Sequence, residues 1–306
     1  MKSPVIKYLS KILDNEYILE TSSGTAALIA SLKLGDFEEG KEVIIPSVVC
    51  PAVLSSVKLS GLKPVFADME IKHFNMDIQN VTELINENTV CIIGVHCFGI
   101  ASEILALENI CKKNNIMLIE DCCLSFGNSF ENRKIGTFGD TSVFSFGYDK
   151  LITGAGGALA LKSKEDFLKV SKFLHENKIF QPTTYSHKNI EYQFKNLDSN
   201  LNTRRNNAIK FSNLLDEDKV IKPAFREFDI YWRYPCLVLD DRLTLIKLGL
   251  DNKTIITSHY PALSKYQFNS NLEVAELFDS KIINLFVNES ATDNYIEKVV
   301  ELINNG

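Results

Sequence analysis

Between Tyr17 and Leu161 the chain alternates short apolar runs with longer amphipathic ones, and this rhythm restricts the fold more than any single motif. Strand-like stretches fall at residues 17–20, 43–45, 64–67, 90–95, 116–119, 141–146 and 158–161. Helix-like stretches lie between them, at Ala27–Leu34 (stopped by Gly35), Ala52–Leu59, Asn80–Ile85 and Ser102–Lys113. A further amphipathic helix is expected over residues 4–15, from Val5, Ile6, Leu9, Ile12 and Leu13. Short apolar strands separated by helices predict an α/β fold with a mostly parallel sheet covered on both faces. Such sheets bind ligands beyond the carboxyl ends of their strands.

The rhythm breaks after Leu161. Residues 162–177 read as a helix, but residues 177–192 have no clean period and read as a loop. Asn200–Leu215 reads as a helix, with Arg204 and Arg205 expected on a solvated face. Residues 230–238 and 254–260 read as strands, and Arg242–Leu248 and Asp293–Ile303 as helices. A chain of 306 residues is at the length where one core tends to split. The expected division is a large α/β domain over residues 1–176 and a smaller α+β domain over 177–306, joined through 177–195.

Charge and cysteine usage narrow the function. The net charge is −6 and no basic run occurs, which argues against a nucleic-acid partner. No apolar run approaches the ~20 residues of a membrane span, and the first residues, MKSPVIKYLSKILDNEY, lack the apolar core of a secretory signal. The seven cysteines are odd in number, form no CxxC and lie mostly in apolar runs. That reads as reduced thiols in a cytoplasmic protein. His96 with Cys97, and Cys122 with Cys123, are adjacent in strands and would point to opposite faces, so no metal site is expected.

Three features carry chemistry. Lys150 lies between two strand-like runs, just ahead of Gly154, Gly156 and Gly157. It is either a solvated loop lysine or an amine made nucleophilic by apolar neighbours, because desolvation disfavours the ammonium. Ser23, Gly24 and Thr25 open the helix after the first strand. They read either as an ordinary cap or as an anion cup of backbone N–H groups and hydroxyls. Asp121 ends a strand at the same expected sheet edge. An amine, a carboxylate and an anion cup together match pyridoxal phosphate: the amine for its aldehyde, the carboxylate for its pyridine nitrogen, the cup for its phosphate.

The stretches SSGTAAL (22–28), EVIIPS (42–47), GLKPVFADME (61–70), IEDCCLSFG (119–127), KIGTFGDTSVFSFGYDK (134–150) and GAGGALAL (154–161) resemble the DegT-type nucleotide-sugar aminotransferases of the fold-type-I pyridoxal-phosphate enzymes. HYPALSKY (259–266) and ATDNYIEKVVELI (291–303) match less closely. The resemblance implies a homodimer that moves an amino group, from glutamate, onto a nucleotide-linked keto-sugar for surface polysaccharide or glycoconjugate biosynthesis. It implies that Lys150 forms the Schiff base and shuttles the proton, and that Asp121 pairs with the pyridine nitrogen. Gly24, Thr25 and Ser145 would bind the phosphate, with Ser23 beside them, and His259 and Tyr260 would face the substrate; read from the residues alone, those two could equally be a polar strand end in the smaller domain. A lysine rather than a histidine at position 150 implies transamination rather than dehydration.

The chain departs from the family at Cys50, where an aromatic residue usually lies over the cofactor ring, and at Leu124, where glutamine is usual. It is also shorter around 177–195, where the family has an Asn-Tyr-Arg-like segment reaching the partner subunit. Two other readings stay open on these departures: a pyridoxal-phosphate enzyme with another substrate or reaction, and a homologue without turnover acting as a regulatory or partner subunit. A dinucleotide site on residues 154–157 lacks the strand–turn–helix context. His96 is expected to be a satisfied core histidine, and Trp232 and Arg233 to pack the sheet of the smaller domain.

Overall fold

The structure, a computed structural model, describes residues 3–154, 156–182, 187–266 and 272–306. Helix α1 (Pro4–Leu13) precedes β1 (Ile18–Thr21), α2 (Gly24–Leu34), β2 (Glu42–Pro46), α3 (Pro51–Leu59) and β3 (Lys63–Ala67). A hairpin of β4 (Met69–Glu70) and β5 (Asn75–Met76) leads to α4 (Ile78–Leu84), β6 (Thr89–Val95), α5 (Ile104–Asn114) and β7 (Met117–Asp121). A second hairpin, β8 (Ser129–Phe130) and β9 (Arg133–Lys134), leads to β10 (Thr141–Phe146), β11 (Gly156–Leu161) and α6 (Lys164–Glu176). Then come α7 (His187–Lys195), α8 (Leu197–Leu214), β12 (Val220–Ile221), β13 (Tyr234–Val238), α9 (Arg242–Asp251), α10 (Glu273–Lys281), β14 (Ile282–Leu285) and α11 (Asp293–Asn305).

The main sheet has seven strands in the order β1-β11-β10-β7-β6-β2-β3. Neighbours from β3 to β10 pair in parallel. Only β11 opposes them, running antiparallel between β10 and β1. This is the mostly parallel α/β sheet that the alternating pattern predicts. Side chains along each strand alternate between two apolar cores. Val43, Ile45, Ile93, Val143 and Leu159 face the core that holds α2, α3 and α6. Ile44, Ile92, Leu118, Phe144 and Ala158 face the core that holds α1, α4 and α5. Period-two alternation with both faces buried is what makes these strands near-continuously apolar. A smaller antiparallel sheet, β12-β13-β14, carries α9, α10 and α11 and shares the first core through Tyr234, Leu237 and Phe278.

The second half differs from the sequence reading in four respects. Residues 187–195 form α7 rather than loop; Thr183–Ser186 lie outside the described residues. The helical signal there is Ile190, Phe194, Leu197 and Leu201, all buried, running across the α7–α8 junction. It is easily lost because polar residues fill the other faces. Arg204 is buried rather than solvated, its guanidinium donating to the Trp232 carbonyl at 2.7 Å and to Asn200 Oδ1 at 2.7 Å. The strand expected at 230–238 begins only at Tyr234, and 254–260 contributes a single bridge, Thr257 to Asn284. Helix α10 and strand β14, unforeseen, complete the smaller sheet.

Candidate active site

The topology sends several loops to one sheet edge. Strands β1, β2, β6, β7 and β10 all run the same way, so their carboxyl ends lie together. Gly24 follows β1, Cys50 follows β2, Asp121 ends β7, and Lys150 follows β10. One cavity there is lined by Cys50, Asp121, Cys123, Leu124, Lys150 and Tyr260. A larger groove of about 650 Å³ lies at the opposite edge, among Thr89, Lys112, Asp140 and Lys162, and holds none of the expected site residues.

The mouth of α2 closes one side. Ser23 caps the helix, its Oγ accepting from the Ala26 N–H at 3.1 Å. The N–H groups of Gly24 and Thr25 are then among those that the helix itself cannot bond. A Cβ on Gly24 would sit 3.0 Å from Ser145 Cβ and 3.2 Å from Cys123 Sγ. Glycine therefore lets the helix mouth press against the Ser145 hydroxyl, and that side of the cavity becomes a row of donors. Ser23 itself contributes chiefly as the cap.

Asp121 is buried, with 5 % of its surface exposed, and its Oδ1 accepts from the Cys123 N–H at 2.9 Å. Its neighbour Glu120 points to the other face and anchors the loop that leads to β10. Glu120 accepts from the N–H groups of Gly136, Phe138 and Gly139 and from the Ser142 hydroxyl. Burial pushes its carboxyl up, but the His96 hydrogen bond and the backbone donors outweigh burial and hold it below its ordinary value. The Ser102 N–H donates to His96 Nδ1, so the ring's proton sits on Nε2, facing Glu120 Oε1 at 3.2 Å. His96, Glu120 and Cys122 offer three donor atoms within 4.8 Å, yet the carboxylate is already filled by hydrogen bonds. His96 is thus a satisfied core histidine.

The loop of Lys150 is held from both ends, by residues that the sequence reading left out or assigned elsewhere. Gln193 of α7 accepts from the Thr153 N–H and donates to the Thr153 carbonyl, both at 2.9 Å. The Thr153 hydroxyl in turn donates to the Lys150 carbonyl at 3.3 Å. On the other flank, Trp232 and Arg233 reach Asp149 rather than only packing their own sheet. Lys150 is half-buried, its Nζ 6.0 Å from the centre of the Trp232 ring.

His259 and Tyr260 complete the wall. The Trp232 ring lies edge-on to His259 at 5.5 Å and tilted to Tyr260 at 5.8 Å. Burial, then the charge of Arg233, holds the His259 imidazole below its ordinary value, so it is neutral near pH 7. Burial, then Cys50 and Asp121, pushes the Tyr260 phenol well above its ordinary range. Cys50 and Leu124 give the cavity an apolar wall. An amine, a buried carboxylate and a donor-lined helix mouth therefore meet at one edge, and this donor set fits pyridoxal phosphate.

The comparisons with known proteins agree with this arrangement. The profile described as "DegT/DnrJ/EryC1/StrS aminotransferase family" matches residues 7–304. The chain is 28% identical over 222 residues to GDP-perosamine synthase of Vibrio cholerae, a match covering 72% of this chain and 59% of that enzyme. It thus spans less than two thirds of that relative's length. It is 26% identical over 318 residues to dTDP-3-amino-3,6-dideoxy-alpha-D-galactopyranose transaminase of Aneurinibacillus thermoaerophilus, covering 94% and 85% of the two chains. In fold it is similar to Helicobacter pylori PseC, an aminotransferase involved in the biosynthesis of pseudoaminic acid, with a TM-score of 0.88 at 21% identity over 97% of this chain and 88% of that one.

Proposed function

We propose, from the premise that this chain belongs to the DegT/DnrJ/EryC1/StrS aminotransferase family, that it is a pyridoxal-phosphate-dependent aminotransferase acting on a nucleotide-linked keto-sugar. The observation that carries this reading is the meeting of Lys150 and Asp121 in one cavity beside the mouth of α2. The cofactor, when bound, supplies an electron sink for the carbon that gains or loses the amino group. The chain's residues would do the rest. Lys150 holds the cofactor and moves a proton at its Nζ. Asp121, sheltered from water, would pair with the pyridine nitrogen. Gly24, Thr25 and Ser145 bind the phosphate, and Ser23 fixes the helix mouth that presents them. Cys50 and Leu124, which line the cavity, would help exclude water from the ring. His259 and Tyr260 orient the substrate.

The names of the two relatives support a nucleotide-linked amino sugar as product; use in surface polysaccharide or glycoconjugate biosynthesis, with glutamate as the donor, is part of the proposal. A homodimer is supported by two exposed large side chains, Tyr148 (94 % exposed) and Ile179 (80 % exposed). Tyr148 is close to Lys150 in sequence, and the Ile179 carbonyl is bonded by the Ser22 hydroxyl at 3.0 Å, next to the cup. We assign residues 1–176 to cofactor binding and 177–306 to the smaller unit. A reducing, cytoplasmic setting is supported by the cysteines, none of which is in a disulfide among the described residues. No helix among those residues is long and apolar enough to cross a membrane.

The test uses the purified chain with pyridoxal phosphate. Borohydride reduction should fix the cofactor's mass onto Lys150, and Lys150→Ala should abolish both this label and the visible absorbance band. In unreduced protein, glutamate with a nucleotide-linked keto-sugar should release 2-oxoglutarate. Labelling elsewhere, or none, overturns the reading; labelling without 2-oxoglutarate limits it to the cofactor.

A further inference from the structure

We propose that Trp232 and Arg233 are positioning residues for Lys150, which they orient by clamping Asp149 in a left-handed backbone conformation. The proposal rests on the reading that Lys150 holds the cofactor. Asp149 immediately precedes the lysine and has φ 61°, a left-handed backbone that aspartate enters more readily than most side-chain-bearing residues. At this position the surroundings fix the conformation. Here two contacts from far along the chain do so. The Trp232 indole N–H donates to the Asp149 carbonyl at 2.5 Å, and Arg233 Nη2 donates to Asp149 Oδ2 at 2.5 Å. One grips the backbone and the other the side chain of the same residue.

The clamp is itself immobilised. Arg233 is buried, its guanidinium 3.8 Å from the centre of the Phe286 ring and 4.9 Å from that of Trp232. Its Nη1 donates to the Thr257 hydroxyl at 3.1 Å. The backbone N–H of Trp232 donates to the Phe98 carbonyl at 2.8 Å, and the Trp232 carbonyl accepts from Arg204 at 2.7 Å. A rigid post thus meets the backbone one residue before Lys150. The direction in which a side chain leaves the chain follows from the backbone around it, so releasing the post would let the ammonium swing within the cavity. Because the Trp232 ring also packs on His259 and Tyr260, the post joins the lysine to the wall proposed for the substrate.

The experiment times the borohydride-fixed labelling of Lys150 by pyridoxal phosphate in the full chain, read by mass spectrometry. Fluorescence of Trp232, the chain's one tryptophan, is followed alongside. Arg233→Met should slow labelling by about tenfold, the scale expected for a misplaced reacting group, and should shift the tryptophan emission. Asp149→Gly reaches the left-handed conformation without strain, so adding it to Arg233→Met should recover much of the rate. A folded Arg233→Met that labels at the wild-type rate overturns the proposal, and so does a double variant as slow as Arg233→Met alone. Should Arg233→Met fail to fold, Asp149→Asn, which removes the ion pair and leaves the arginine, must show the same slowing or the proposal falls. Failure of the wild type to label at Lys150 would instead remove the cofactor reading on which it rests.

Discussion

Gln193 and Thr153, forty residues apart, exchange two hydrogen bonds of 2.9 Å that tie helix α7 to the loop of Lys150. The side-chain amide replaces the strand partner that this backbone lacks. Gln193→Ala would leave both groups of Thr153 unmatched in a half-buried loop. The expected loss is about 1–3 kcal/mol, the desolvation cost of such groups. Faster hydrogen exchange at Thr153, with little change in β7, would check it. Gln193→Glu keeps the acceptor and loses the donor, and should fall between.

Gly24→Ala tests the helix mouth. The new Cβ would sit 3.0 Å from Ser145 Cβ, so the cup must open by a few tenths of an ångström. Pyridoxal phosphate affinity should weaken about tenfold, or roughly 1.4 kcal/mol, as read by fluorescence titration. Thermal stability should change little, because alanine is the better helix former.

Glu120 makes stability depend on pH. Its carboxyl titrates below the ordinary 4.5 in the folded chain. Its contribution is therefore fully present above 4.5 and is lost as the pH falls through the depressed folded value. Glu120→Gln should destabilise the protein by about 2–4 kcal/mol at neutral pH, since it leaves a buried donor cluster badly matched. The gap between variant and wild type should close as the pH drops below 4.5. Urea unfolding at both pH values measures it, and a gap that does not narrow contradicts the assignment.

Arg204 is a buried cation whose role is to hold the Trp232 carbonyl. Burial, the leading cause, lowers its pKa to about 10. Arg204→Ala removes the donor and opens a cavity, which should cost about 2–4 kcal/mol. Arg204→Met fills the space without the donor and should recover part of this. In both variants the emission of Trp232 should shift, and unchanged emission would show that the carbonyl contact is dispensable.

The large sheet was legible in the sequence because its signals are local. Period-two runs such as Thr141–Phe146 and helical runs such as Ala27–Leu34 each declare themselves within a few turns of chain. Parallel pairing then follows from the helices between the strands, and with it the edge at which Gly24, Asp121 and Lys150 lie. Family membership was likewise legible, in motifs such as residues 134–150. What the sequence could not supply are relationships carried by single long-range contacts. Arg204 on a polar helix looks solvated until the Trp232 carbonyl is found above it. Trp232 and Arg233 look like strand residues until Asp149, more than eighty positions earlier, takes both their donors. Such contacts leave no periodicity behind, since one hydrogen bond between distant residues constrains neither neighbour's pattern. Only the folded chain decides them, because only there do burial and partner arrive together.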